Sequence, residues 1–289
     1  MAPSSGSNSQ PQTAWYVPFG GHVALVTCDQ PPLRDLLAVY LRHCQAEPAP
    51  AIISYLLTRQ EDNCFQLQRD EVILYKGPQL SYIVERLLHD LALTLTTHCQ
   101  DYLVFHAAVL ARAPHGLLLC GESGSGKSTL AAWLTASGFD YVTDELAAVS
   151  LEHGDVSGLT RPIVLKKGSA FVWQRWLDKP ARDYLTSFAN RVFLLDPEWL
   201  RPQSVQHVAQ PRLILFPRYV ANRAFEARPL SHADTLFHLL HRLINATNLP
   251  GNGYAGIKRL THQTAAYTLT YPDVTTAAAW LQHTVTKLT

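Results

Sequence analysis

The chain has 289 residues, 47% hydrophobic and 16% charged, with Lys and Arg (24) nearly balancing Asp and Glu (23) for a net charge of +1. This composition excludes a disordered or low-complexity chain and predicts a sizeable core. It gives no global field toward nucleic acid or an anionic membrane, so neither partner is expected, and no apolar run approaches the ~20 residues of a membrane-spanning helix.

Residues 1–14, rich in Ser, Pro, Gln and Asn and without the apolar block of a secretory signal, are expected to form a disordered tail. Five widely spaced cysteines with no C-x-x-C read as reduced thiols, as in the cytoplasm. Val23 to Val26 predicts a strand, and Pro31 and Pro32 open a helical pattern with Leu33, Leu36, Leu37 and Leu41 on one broad face. Short strands are expected at 51–57, 64–68 and 72–75, separated by the polar turns at 60–63 and 69–71. A long helix follows from Gln79 to His98. Residues 15–100 are thus expected to form a small N-terminal α/β lobe, and 101–289 a second, larger domain.

Tyr102 to Ala111 reads as a strand carrying His106, and Leu117 to Cys120 as a short buried strand. That second strand runs into Gly121-Glu122-Ser123-Gly124-Ser125-Gly126-Lys127-Ser128-Thr129, which fits the phosphate-binding pattern G-x-x-x-x-G-K-[ST] at every fixed position. A helix is expected over Leu130 to Ala136, then a strand at Asp140 to Val142, and this strand–loop–helix–strand order implies parallel pairing inside a larger sheet. The glycines let successive N–H groups wrap a phosphate, and the helix N-terminus adds partial positive charge. Lys127 is placed for the β- and γ-phosphates of a nucleotide, expected to be ATP, and Ser128 for Mg²⁺. Asp144 and Glu145, at the end of the next strand, are placed to reach the metal or the attacking nucleophile. Alternation along a strand predicts that only one of them points fully into the site.

Further strands are expected at 146–150, 156–159, 161–167, 191–195, 213–216 and 266–271. A helix is expected to begin the segment 169–185, another to follow Ser231 over 234–244, and a third to close the chain over 274–288.

From His106 through the loop to Gly138 and Asp144-Glu145, the sequence resembles the catalytic domain of HPr kinase/phosphorylase, a bacterial serine kinase family, over about 45 residues in register. It looks more closely like the HPr-kinase-related proteins of bacterial peptide biosynthetic clusters. The shared residues are the His106-Ala107-Ala108 run, Thr143-Asp144-Glu145, Arg161-Pro162 with Lys166, and Phe216-Pro217-Arg218-Tyr219. The resemblance implies an α/β fold with a mixed sheet around the P-loop, beside the smaller N-terminal lobe. It also implies ATP- and Mg²⁺-dependent transfer to a hydroxyl, with Ser or Thr of a peptide or protein as acceptor and with homo-oligomers common among relatives.

By position, Asp144 matches the acid that takes the acceptor's proton, Glu145 a Mg²⁺ ligand with Ser128 and Asp144, and His106 a histidine near the transferring phosphate. Arg161, Lys166 and Arg218 are candidates for neutralising transition-state charge. The family's downstream signature holds a metal-binding glutamate followed by Arg-Gly, whereas this chain reads Gly158-Leu159-Thr160-Arg161-Pro162. That departure weighs against HPr itself as acceptor and against the reverse phosphorylase reaction. Two other readings stand beside the peptide kinase: a kinase of a small alcohol or amino acid, and a nucleotide-binding scaffold without transfer activity.

Overall fold

In the computed structural model, which describes residues 13–60, 63–177 and 192–287, the chain divides into two compact units. The first takes in the residues up to Pro18 together with His22–Leu91, and the second takes in Phe19–Gly21 with Ala92–Thr289. The tail expected over 1–14 lies outside the described residues except for Thr13 and Ala14, which already belong to a strand.

In the first unit β1 (Thr13–Phe19), β2 (His22–Cys28), β3 (Ile53–Arg59), β4 (Phe65–Arg69) and β5 (Val72–Gly77) form one mixed sheet in that order. Parallel neighbours need a crossover. Helix α1 (Pro31–Tyr40) supplies it between the parallel pair β2 and β3, with Leu33, Leu36 and Leu37 buried. The Tyr55 hydroxyl, on a fully buried side chain, donates to Asp90 Oδ2 at 2.9 Å, and Arg69 Nη1 reaches the same carboxylate at 3.1 Å. Asp90 lies on α2 (Leu80–His98), the long helix expected from the leucine pattern, within which the division between the units falls.

The second unit is built on an eight-stranded sheet. Strand β6 (Tyr102–Arg112) and β7 (His115–Cys120) are antiparallel. β7 is buried along its whole length, as its continuous apolar run requires. Helix α3 (Lys127–Ala136) leads from the glycine-rich loop to β8 (Asp140–Thr143). β8 pairs antiparallel with β6, so it runs parallel to β7 but on the far side of β6. The parallel partner of β7 is instead β13 (Val208–Tyr219), which pairs in parallel with β15 (Ala265–Tyr271) as well.

Strand β6 is shared: its first half pairs with β9 (Leu146–Ser150) and its second with β8. Strand β10 (Val156–Gly158) joins β9 to β13, and β14 (Glu226–Pro229) edges β15. A separate two-stranded ribbon pairs β11 (Ile163–Lys166) with β12 (Val192–Leu195).

Side-chain alternation gives this sheet two cores. Leu117, Leu119, Leu213 and Leu215 pack with α3, with α4 (Ala170–Trp176) and with α8 (Val274–Thr286). Leu118, Cys120, Ile214 and Phe216 pack with α6 (His232–Leu240) and α7 (Tyr254–Gln263). The observed architecture is therefore a mixed α/β arrangement, with helices on both faces of the larger sheet. Helix α7, the one-turn α5 (Pro197–Leu200) and β14 were not anticipated. The helix expected over 234–244 stops at Leu240, and that expected over 169–185 is described only as far as Trp176, with the remainder outside the described residues.

Candidate active site

The glycine-rich loop follows β7 at the end of the sheet where β13 and β15 also terminate. Gly124 (φ 86°) and Gly126 (φ 96°) take left-handed backbone, which L side chains avoid. A Cβ at Gly126 would strike the Tyr271 hydroxyl, so that position also needs glycine for space. The loop is clasped from the neighbouring strand ends. Ser125 O accepts from Tyr219 N at 3.1 Å and from Tyr271 Oη at 3.4 Å, and the two tyrosine rings stand edge to face at 5.9 Å.

Helix α3 begins at Lys127, earlier than its apolar pattern indicates, and carries no side-chain cap. Its first-turn N–H groups and partial positive charge are left for a ligand. Lys127 is buried, and its Nζ donates to Gly121 O at 2.6 Å and Glu122 O at 3.0 Å. Burial above all lowers its pKa, and the Arg242 charge pushes the same way.

Asp144 is 5% exposed directly after β8. Ser128 and Tyr141 hydrogen-bond its carboxyl, with Tyr141 Oη at 3.0 Å from Oδ1. Burial, reinforced by the Glu145 charge, raises its pKa from 3.8 to about 6, against the opposing pull of Ser128, Arg161 and Tyr141. Glu145 bridges two bases, with Arg161 Nη2 at 3.2 Å and His106 Nδ1 at 3.9 Å. Burial lowers the His106 pKa, with Lys127 adding to the effect and Glu145 opposing it.

These groups face one cavity of about 970 Å³, lined by His106, Ser123, Gly124, Gly126, Lys127, Ser128, Thr129, Asp144, Glu145 and Lys166, among others. The expectation that only one of the paired acids would point in is corrected here: both line the cavity, because they follow the strand rather than continue it. Gly121 and Ser125 belong to the loop's inner side, where Ser125 Oγ is buried without a partner among the described residues. Arg161 reaches the site through Glu145. Arg218 is exposed and does not line the cavity; it precedes the lining residue Tyr219, and strand neighbours face opposite ways.

No protein-family model and no curated protein matches this sequence. Among solved structures the chain is similar to the Hpr(Ser) kinase/phosphatase from Coxiella burnetii, at 13% identity, covering 64% of this chain and 97% of that one, with a TM-score of 0.35. At that TM-score the likeness says nothing about the site, which stands on its own geometry.

Several lining residues escaped the sequence reading. Trp133 and Phe171, with ring centroids 6.3 Å apart, wall one end of the cavity with Val164 and Leu165. Tyr271 to Thr275, where β15 passes into α8, close another side. Trp133 sits two turns into the loop helix, and that placement is the signal that could have marked it. Nothing local marks residues 271–275, which the sheet brings beside the loop, where Tyr271 Oη donates to Ser125 O.

The residues present fit a nucleoside triphosphate with a divalent cation. Ser128, Asp144 and Glu145 offer the hard oxygen donors that Mg²⁺ prefers. The uncapped helix start, Lys127 and the open Gly124 form an anion cradle, with nothing within 4 Å of a Cβ built on Gly124. Ser125 Oγ is a further buried polar atom with no hydrogen-bond partner among the described residues.

Proposed function

We propose that this protein is an ATP-dependent kinase that transfers the γ-phosphoryl group to a hydroxyl, with Ser or Thr of a peptide or protein as acceptor. The observation that carries this reading is the buried Asp144, its pKa raised to about 6, beside Ser128 and in the same cavity as Lys127. A carboxylate with that pKa is largely ionised at pH 7 yet a stronger base than an ordinary aspartate, which suits it to a hydroxyl proton. ATP with Mg²⁺ would supply an activated phosphoryl group and a divalent charge bridging the phosphates.

In this reading Asp144 takes the acceptor's proton as the acceptor oxygen bonds to phosphorus and the bond to the leaving diphosphate breaks. Lys127 leaves its two loop carbonyls to hold phosphate oxygens, and Lys166 adds charge from the cavity rim. His106 can donate a hydrogen bond to the transferring group from a ring nitrogen. Trp133 and Phe171 give the base an apolar wall.

The test is transfer from γ-labelled ATP to serine- and threonine-containing peptides and to small alcohols. Lys127→Ala and Asp144→Asn are each expected to lower transfer by roughly 10²–10⁴-fold, the range for losing positioned charge or a general base. Variants as active as the wild type would overturn the assignment.

A further inference from the structure

A second hollow of about 320 Å³ adjoins the cavity, and His106 lines both. Its other walls are Gly121, Glu122 and the segment His241-Arg242-Leu243-Ile244 that follows α6. The Arg242 guanidinium lies 5.1 Å over the Phe216 ring, and Nη1 donates to His238 O at 2.8 Å. Among the described residues its buried Nε has no hydrogen-bond partner and no carboxylate pairs with the guanidinium. An arginine fixed by stacking and by one carbonyl, with no carboxylate paired to it among the described residues, has the chemistry to receive a planar anion.

The segment that carries Arg242 is held rigid. Asn245, buried, accepts from Val104 N at 2.9 Å and donates to Cys99 O and Tyr102 O at 3.0 and 2.8 Å. Ile244 N donates to Val104 O at 2.8 Å. These bonds hold the hollow beside β6, the strand that carries His106. Gly121 and Glu122, whose carbonyls accept from Lys127 Nζ, also wall the hollow, so it borders the Lys127 end of the cavity.

We propose that this hollow is the acceptor subsite, and that Arg242 receives a carboxylate on the molecule whose hydroxyl is phosphorylated. The proposal rests on the kinase reading and narrows its substrate to hydroxyl acceptors bearing a nearby carboxylate. That carboxylate can come from a free hydroxy acid or from an acidic residue of a peptide, two sources with the same chemistry. Leu243 and the half-exposed Ile244 supply apolar contact to the acceptor's carbon skeleton.

The test is calorimetric titration of the full chain in the presence of a nonhydrolysable ATP analogue and Mg²⁺. One pair of ligands is N-acetylserine and its amide; the other is a short peptide with Asp beside Ser and its Asn counterpart. The carboxylate member of at least one pair is expected to bind roughly tenfold tighter or more, the scale of one charge-assisted hydrogen bond. Arg242→Gln is expected to erase that difference, and Arg242→Lys to restore part of it. A preference in the first pair only identifies a small hydroxy acid, and in the second only a peptide.

Equal binding within both wild-type pairs, or a preference that survives Arg242→Gln, overturns the proposal. The wild-type comparison needs no variant to fold. A transfer assay on the same ligands separates the two readings. Carboxylate preference without transfer leaves Arg242 as a carboxylate-binding site but refutes the kinase reading and with it the acceptor role, whereas transfer without preference keeps the kinase reading and refutes the subsite.

Discussion

Replacing Asp144 by Asn is expected to stabilise the folded protein while removing the proposed base. The carboxyl is 5% exposed, and its pKa is raised from 3.8 to about 6, chiefly by burial. A folded-state pKa above the unfolded value means that the folded chain binds more protons between those two limits, so stability falls as pH rises through that window. Above pH 6 the wild type carries the whole cost of an ionised buried carboxylate, about 3 kcal/mol at roughly 1.4 kcal/mol per pH unit.

Asparagine is nearly isosteric and stays neutral. Its oxygen can accept from Tyr141 and its amide can donate to Ser128. Urea denaturation of the two proteins without nucleotide at pH 7.5 should show Asp144→Asn more stable by up to about 3 kcal/mol, with the gap narrowing toward pH 4. In a thermal melt this amounts to several degrees, at about 2–4 °C per kcal/mol for a unit of this size. A variant no more stable at pH 7.5, or a gap that does not shrink on acidification, would refute the burial argument.

Four further outcomes follow from the geometry. Gly126→Ala forces a left-handed residue against the Tyr271 hydroxyl and should weaken binding of an ATP analogue by at least tenfold, or about 1.4 kcal/mol, in a fluorescence titration. Phe171→Ala should weaken the same ligand by about 1 kcal/mol through loss of the half-exposed aromatic wall beside Trp133, whose emission supplies the readout. Asn245→Ala leaves Val104 N, Cys99 O and Tyr102 O without their side-chain partner and should cost about 2–4 kcal/mol in urea denaturation. Asp90→Ala removes the carboxylate that the fully buried Tyr55 hydroxyl and Arg69 Nη1 share and should cost about 3 kcal/mol, and Tyr55→Phe in that background should recover part of the loss.

The elements legible from sequence were those whose pattern is local. Strand β7 is a continuous apolar run ending in a glycine-rich loop, and α2 carries leucines at helical spacing over 19 residues. Strand β13 was legible only at Leu213 to Phe216, although it spans 12 residues. Pro211 and Pro217 interrupt the pattern, and the sheet tolerates Pro211 because the register shifts there. Helix α7 was missed because Gly251 and Gly253 precede it and only Ile257, Leu260 and Thr261 are buried along it. In the site, the loop and the two acids lie within one strand–helix–strand unit and could be read together. Tyr271 to Thr275 and Arg242 come from more than 90 positions away, and only the parallel pairing of β7, β13 and β15 brings the former alongside.

The tyrosine clasp on the loop has a consequence for the order in which the chain becomes competent. Ser125 O is held by residues 219 and 271, the second at a sequence separation of 146. A nascent chain emerging from the ribosome N-terminus first completes the loop and α3 well before either tyrosine exists. Until β13 and β15 have been synthesised and docked, the phosphate cradle lacks two of the bonds that set its shape. The loop would therefore reach its final shape only once the last strand of the sheet has docked, which ties an early motif of the unit to its final stage of assembly.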